Sequence, residues 1–246
     1  DKIGRCIDSL WHVADEVIVL DSYSSDNTVK IAKEKGAIVK QEKFGGYIEQ
    51  KNRALQLAKN DYVLSLDADE VLSKRLIESI LQAKRNFKHD AYFMNRFNSY
   101  CGKFIKHGLW YPDRKVRLFN RKHANWGGMN PHDKIELQNK NSTKMLDGDI
   151  LHYAFNSVEE HILRNENFSS IAAWSMFEAG KKKHWSKIIF SPAWSFFNGY
   201  FLRLGFLDGY YGFIIAFLTA RLAYHKYYKL RRLQMQSEKN ISWTNN

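Results

Sequence analysis

The apolar positions of the chain fall into two rhythms, and the change between them lies near residue 90. In the first stretch, short β-branched runs alternate with segments of helical spacing. EVIVLD (16–21), AIVKQ (37–41) and DYVLSLD (61–67) read as buried strands. Between the first two, SSDNTVKIAKEKG predicts a helix that Ser25 or Asp26 can cap and Gly36 can end. GGYIEQKNRALQLAKN (45–60) predicts a loop and then a helix, and SKRLIESILQAKRN (73–86) a helix capped by Ser73. Alternation at this spacing predicts an α/β fold with a mostly parallel sheet. Ligands of such sheets sit beyond the carboxyl ends of the strands. Asp21 and Asp67 occupy two such ends, and are expected on adjacent strands that flank one crevice.

Past residue 90 the rhythm changes. AYFMNRFNSY, KVRLFNR and DILHYAF read as strands joined by Gly- and Asn-rich loops. DGD at 147–149 reads as a hairpin around Gly148. A long helix is expected over 156–180, capped by Asn156 or Ser157 and ended by Gly180. The rest is dense in Trp, Phe and Tyr, but Arg203, Asp208 and Arg221 interrupt it, so no membrane-spanning helix is expected. Amphipathic helices lying in a membrane interface fit this composition; a helical cap packed on the sheet, with a solvated charged face, fits it too. The expected division is a catalytic domain over 1–155 and a helical region over 156–246.

Charge sharpens the second half. The net charge of the 246-residue chain is +12. Residues 181–246 hold eleven Lys/Arg against Asp208 and Glu238, so three quarters of the excess lies in the last quarter. That asymmetry points to an anionic partner. No nucleic-acid recognition motif accompanies it, so an anionic membrane surface is expected and nucleic acid is not. Two distant cysteines, Cys6 and Cys101, match no metal or redox spacing, and the opening DKIGRCIDSL is polar. A reduced cytoplasmic protein, peripheral on the inner face of the cytoplasmic membrane, is the expectation.

Candidate chemistry centres on LSLDADE (64–70), where an apolar run ends in Asp67, Asp69 and Glu70. Mg²⁺ or Mn²⁺ bridging a diphosphate needs only one or two protein carboxylates, because phosphate oxygens and water complete its shell. A strand end followed by Asp-x-Asp suits that task. The motif alone is weak, as the second copy at 147–149 demonstrates. Its context strengthens it: VLDSYSSDNT (19–28), QKNRAL (50–55) and LSLDADE, in that order and spacing, resemble the GT-A glycosyltransferases of family 2. WYPDRKVRLFNR (110–121), NPHDKI (130–135), DILHYAF (149–155) and GFLDGYYGF (205–213) resemble bacterial lipopolysaccharide core glycosyltransferases of the β-1,4-glucosyltransferase type.

The resemblance implies a GT-A (Rossmann-like) nucleotide-sugar fold with C-terminal amphipathic helices. It also implies a first strand and turn ahead of those this chain displays. By the same resemblance Asp21 contacts the base, with Ser24 at the donor nucleotide too, Asp67 lies near ribose and Asp69 binds metal; from the helix between the two strand ends Lys51 or Arg53 can reach phosphate. His152 completes the metal shell or is a core histidine. Asp133, in the step His132–Asp133, is the base for the acceptor hydroxyl or an exposed loop carboxylate. Glu70 supports the site from behind or faces diphosphate or acceptor, and Arg114 and Arg117 face diphosphate or acceptor; for the arginines the other reading is ordinary strand surface, with Arg117 pointing away from the core. The implied activity is inverting and Mn²⁺- or Mg²⁺-dependent, moving hexose from a UDP-sugar to a lipid-linked saccharide. A nucleotidyltransferase and a non-catalytic membrane or nucleic-acid binding protein are the competing readings.

Overall fold

The computed structural model describes residues 2–129, 132–139, 142–181 and 185–244, apart from the side chains of 129, 132 and 238–244. The chain divides into two units, one of residues 1–98 and 113–153, the other of 99–112 and 154–246. The segment 99–112 therefore groups with the C-terminal helices rather than with the expected first domain.

The first unit opens with α1 (Lys2–Leu10), whose Ile3, Cys6 and Ile7 are buried. β1 (Ile18–Asp21), α2 (Thr28–Glu34) and β2 (Ile38–Gln41) follow, and β1 pairs parallel with β2. This crossover has its own core of Ile3, Ile7, Val17, Ala32 and Ala37. Asp26 accepts from the Thr28 N–H at 3.0 Å, and Gly36, at φ +78°, follows the helix end. Next come α3 (Tyr47–Leu57), β3 (Tyr62–Leu64), β4 (Glu70–Leu72) and α4 (Lys74–Lys84). Ser73 caps α4 by accepting from the Leu76 N–H at 3.3 Å.

β5 (Ala91–Tyr100), β6 (Lys103–Phe104), β7 (Asp113–Asn120), β8 (Ala124–Met129), β9 (His132–Leu137) and β10 (Thr143–Phe155) complete the strands. The main sheet runs in the order β3-β7-β5-β10-β4. β3 with β7, β5 with β7 and β10 with β4 are antiparallel, and β8 with β9 form an antiparallel ribbon. The sheet is thus mixed rather than mostly parallel. Only β1 and β2 are joined by a helical crossover and pair parallel among the described residues; the later strands return on one another through loops.

Two further expectations change. β1 and β3 are not paired neighbours: they belong to different sheets, and a cavity of about 710 Å³ is lined by both, with Ile7, Leu10, Leu55 and Leu118 among its walls. And DGD is no hairpin. β10 runs unbroken through it, with Gly148 at φ +96° where α4 begins. A Cβ at Gly148 would collide with the backbone of Arg75 and Leu76. The glycine thus serves a close approach between strand and helix, and the Asp149 N–H donates to Ser73 Oγ at 3.1 Å.

The second unit holds α5 (Val158–Glu178), α6 (Ser186–Phe197), a π-helical turn (Asn198–Leu202), a 3₁₀ turn (Gly205–Asp208) and α7 (Tyr210–Thr244). Ser157 caps α5 by accepting from the Glu160 N–H at 3.1 Å. Buried Asp208 accepts from the N–H groups of Lys106 (3.2 Å) and His107 (2.8 Å), which fastens the 99–112 segment to the turn. A Cβ on Gly212 would overlap the Gly205 carbonyl, so that pair sets how closely α7 meets the turn. Tyr100, Ile105 and Ile215 form the core, with Trp110, Phe155 and Val158 against it.

Candidate active site

The carbonyl end of β3 leads into a tight turn that folds Asp67 and Glu70 onto each other. The Glu70 N–H donates to the Asp67 carbonyl at 2.9 Å, and the Asp67 N–H donates to Glu70 Oε2 at 2.9 Å. Glu70 is fully buried, and Arg117 donates from Nη2 to Glu70 Oε1 at 2.8 Å and to Asp67 Oδ2 at 2.9 Å. Strict alternation would turn Arg117 outward. Instead Tyr92 pairs with Leu118 and Phe93 with Val116, so Arg117 is the extra residue of a β-bulge in β7. Bulges re-aim side chains, and this one sends the guanidinium inward, where it is 4% exposed.

Lys51, on α3, closes the other side. Its Nζ lies 3.0 Å from Asp67 Oδ1 and 2.7 Å from Asp133 Oδ2 on β9, and 4.2 Å from the centre of the Trp126 ring. Asn52 fixes that helix by exchanging hydrogen bonds with the Trp126 backbone, donating at 2.8 Å and accepting at 3.0 Å. Burial opposes ionisation of Asp67, but the charges of Arg117 and then Lys51 outweigh it and hold the carboxyl far below the usual range. Three carboxylates of the 67–70 turn also act on Cys6. Its thiol is pushed up to about 12, by burial first and then by Glu70, Asp67 and Asp69, so it is inert as a nucleophile at neutral pH.

Asp69 forms a second, distinct pair. β10 runs against β4 with His152 opposite Glu70, and the Tyr153 N–H donates to the Asp69 carbonyl at 3.0 Å. That register brings His152 Nε2 to 3.6 Å from Asp69 Oδ1. On its far side His152 Nδ1 lies 2.7 Å from Asn98 Oδ1, an acceptor, so Nδ1 carries the proton. The Nε2 lone pair of a neutral ring then faces a carboxylate oxygen. Such a pair needs a positive charge between its members, either a second ring proton or a metal cation. Burial works against the charge on Asp69, and the hydrogen bond and charge of His152 overcome it, so its carboxyl too is held below the usual range.

Asp21 belongs to a third group, at the end of β1. Its carboxylate accepts from the Ser24 hydroxyl, from the Ser24 N–H at 3.1 Å and from Gln41 at 3.0 Å. Burial works against its charge and these bonds outweigh it.

A model of the family described as "Glycosyl transferase family 2" matches residues 1–144, more than half of the chain. An uncharacterised glycosyltransferase of Rickettsia prowazekii is 32% identical over 99% of this chain and 87% of its own length. The chain belongs to glycosyltransferase family 2. A lipopolysaccharide core biosynthesis glycosyltransferase of Rhizobium meliloti, LpsC, is 27% identical over 92% of this chain and 88% of its own. Staphylococcus aureus TarS, residues 1–349, in complex with UDP-GlcNAc, aligns at a TM-score of 0.43 and 16% identity, over 97% of this chain and 88% of that one; this distant likeness adds nothing to the assignment.

In this glycosyltransferase Lys51, Asp67, Glu70, Arg117 and Asp133 form one connected network, Asp69 pairs with His152, and Asp21 joins Ser24. One expectation is corrected and one alternative is decided. Arg117 is neither strand surface nor directed away from the interior, because of the bulge. Glu70 is enclosed and spent on Arg117 and the Asp67 N–H, so of its two readings it braces the turn from behind and does not face diphosphate or acceptor. Arg114 is exposed on β7, opposite Asn95. His132 contributes backbone pairing to β9, its side chain is outside the described residues, and so are Asn130 and Pro131 of the same stretch. His107 and Trp110 have structural partners in the second unit: Asp208 for His107, and the rings of Tyr100, Phe155 and His161 for Trp110. Sequence reasoning passed over Trp126, Asn98 and Arg96, whose Nη1 approaches Glu70 Oε1 at 3.6 Å. An arginine and an asparagine two positions apart on β5, on the face that buries carboxylates, were the available signal.

Among the described residues no three His, Cys, Asp or Glu side chains gather as a metal cage. The donor set nevertheless fits an ion that takes most of its shell from a diphosphate: one ionised carboxylate and one imidazole with its tautomer fixed by a neighbour.

Proposed function

We propose that this family 2 enzyme is an inverting transferase that moves a hexose, glucose foremost, from a UDP-sugar to a hydroxyl of a lipid-linked saccharide. It would serve lipopolysaccharide or another cell-surface glycan, at the inner face of the cytoplasmic membrane. The observation that carries the reading is the Asp69–His152 pair, whose facing atoms, 3.6 Å apart beside the Asp67 turn, suit a cation held between them. Asp69 and His152 would hold Mn²⁺ or Mg²⁺, which would supply charge neutralisation for the departing diphosphate. Asp21 and Ser24 take the uracil end of the donor, and Asp67 the ribose. Arg114, exposed on its strand, is free to meet diphosphate or acceptor.

Lys51 connects donor and acceptor chemistry. Without donor it neutralises both Asp67 and Asp133. A diphosphate oxygen competes for the same ammonium, and Lys51 turning to it leaves the Asp133 carboxylate free to accept a proton. The acceptor oxygen then bonds to the anomeric carbon, the bond from that carbon to the diphosphate oxygen breaks with its electrons leaving on UDP, and the acceptor proton passes to Asp133. The name of LpsC supports the acceptor class.

Calorimetry with UDP-glucose and UDP, with and without Mn²⁺, tests the reading. Wild-type enzyme should bind in a Mn²⁺-dependent way, Asp69→Ala should lose that dependence, and Asp133→Asn should bind normally while turnover falls roughly 10²–10⁴-fold. Equal binding by Asp69→Ala, or full turnover by Asp133→Asn, would remove the corresponding role.

A further inference from the structure

Helix α6 presents its apolar side to solvent. Eight of the twelve residues in SKIIFSPAWSFF are apolar, yet none is buried. Its exposed large side chains, with Trp185 just before it, are Ile189, Phe190, Trp194 and Phe197, spaced as one helical face. Ser186, Ser191 and Ser195 are half-buried, together with Ile188, Pro192 and Phe196. An ordinary surface helix turns its largest apolar side chains inward. Five more apolar side chains between 201 and 207 are exposed as well. A soluble monomer rarely shows a contiguous patch beyond a few hundred Å², so this face has a partner.

Charge selects the partner. Lys181, Lys187 and Arg203 are exposed beside the apolar face, and the lone acid of residues 181–237, Asp208, is buried. A second copy of this surface would bring like charge against like, whereas an anionic bilayer is complementary. Twelve helical residues extend about 18 Å, short of the ~30 Å hydrocarbon core, and no described helix is long and apolar enough to cross a membrane. Trp and Tyr favour the headgroup boundary. We propose that α6 and the turn after it lie in the interface of an anionic bilayer, parallel to its plane, with Ile189, Phe190, Trp194 and Phe197 inserted and Lys187 and Arg203 at the headgroups. α7 is the support beneath, since its Ile215, Ala216, Leu218 and Leu230 are buried within the unit. The inference does not rest on the donor reading, because it is tested without turnover.

The test is co-sedimentation of the full chain with phosphatidylcholine vesicles, with or without phosphatidylglycerol, at low and high salt. The wild-type chain should bind the anionic vesicles at least tenfold more tightly than the neutral ones, with salt weakening the difference. Phe190→Glu with Trp194→Glu should cut binding tenfold or more at unchanged circular dichroism. Lys187→Glu with Arg203→Glu, a second exposed pair, should remove the preference for anionic lipid. No sedimentation of the wild-type chain with anionic vesicles would overturn the inference, and so would both variants sedimenting as wild type. A wild-type dimer by light scattering that Phe190→Glu with Trp194→Glu dissolves would overturn it in favour of a second copy.

Discussion

Arg117 and Glu70 in the first unit, and Phe190 and Trp194 in the second, all depart from ordinary burial, in opposite directions. The first pair is charged and almost wholly enclosed; the second is apolar and 67% and 59% exposed. An enclosed ion pair contributes little net stability compared with an apolar pair of the same shape, because desolvation cancels most of the attraction. What it secures here is position: it holds the Asp67 turn where Lys51 and Asp133 meet it. An exposed apolar face likewise does nothing for the isolated fold. The two regions are therefore read by asking what each departure positions, a carboxylate turn in one case and a surface for lipid in the other.

Removing one member of each pair is the widest way to separate them. Arg117→Met leaves Glu70 buried without its main counter-charge and should cost about 3–5 kcal/mol of unfolding free energy. Phe190→Ser removes a side chain that nothing covers and should stay within about 0.5 kcal/mol of wild type. Urea denaturation of the two variants beside wild type measures both. A small loss for Arg117→Met would mean that the turn has other supports; a large loss for Phe190→Ser would mean that α6 is packed rather than displayed.

The same contrast explains what could be read from the sequence. Ser73 and Ser157 announced their helices because a cap is a local event, and the carboxylates of LSLDADE stood out because they follow an apolar run. Arg117 was misread because a bulge shifts side-chain parity without changing composition, and its position depends on how Tyr92 and Phe93 pair with β7. Gly148 was misread for the same reason: a strand glycine needed by a passing helix looks like a turn glycine until the helix is placed. The partner Asn98 gives His152 is 54 residues away in the chain and leaves no local signal. In the tail, composition showed the apolar and basic excess, but which face of α6 is exposed is a matter of tertiary packing.

Acid should separate the regions next. His161 is buried among Tyr100, Trp110 and Phe155, with its Nδ1 3.1 Å from the Tyr100 hydroxyl. Burial, and then the charge of Arg164, lower its pKa from 6.5 to about 4. The ring is thus neutral when folded, and unfolding takes up a proton below pH 6.5. Its contribution is complete above that pH and is lost as the pH falls towards 4, by up to about 3 kcal/mol. Asp67 behaves differently: held far below the usual carboxyl range, it keeps its pairing with Arg117 throughout that window and loses it only in stronger acid. Urea midpoints between pH 7 and pH 4 should therefore fall for wild type and fall much less for His161→Phe. Parallel slopes for the two proteins would remove His161 as the cause.

The smallest contrast lies in the two helix caps. Ser157 accepts one N–H, that of Glu160, at 3.1 Å. Ser73 accepts two, from Leu76 at 3.3 Å and from Asp149 at 3.1 Å, the second tying β10 to α4 where Gly148 lets them touch. A cap replaced by alanine typically costs about 1 kcal/mol. Ser157→Ala should show that cost alone. Ser73→Ala also removes the bond from the Asp149 N–H, and should cost roughly 1 kcal/mol more. Amide exchange adds a reading that the total does not give: in Ser73→Ala the Asp149 amide should lose protection along with that of Leu76, while Ser157→Ala affects the first turn of α5 only. Equal losses for the two variants would mean that the Asp149 amide finds another partner, and that the Ser73 hydroxyl adds nothing to the contact between strand and helix, which keeps the bond from the Ser73 N–H to the Asp149 carbonyl.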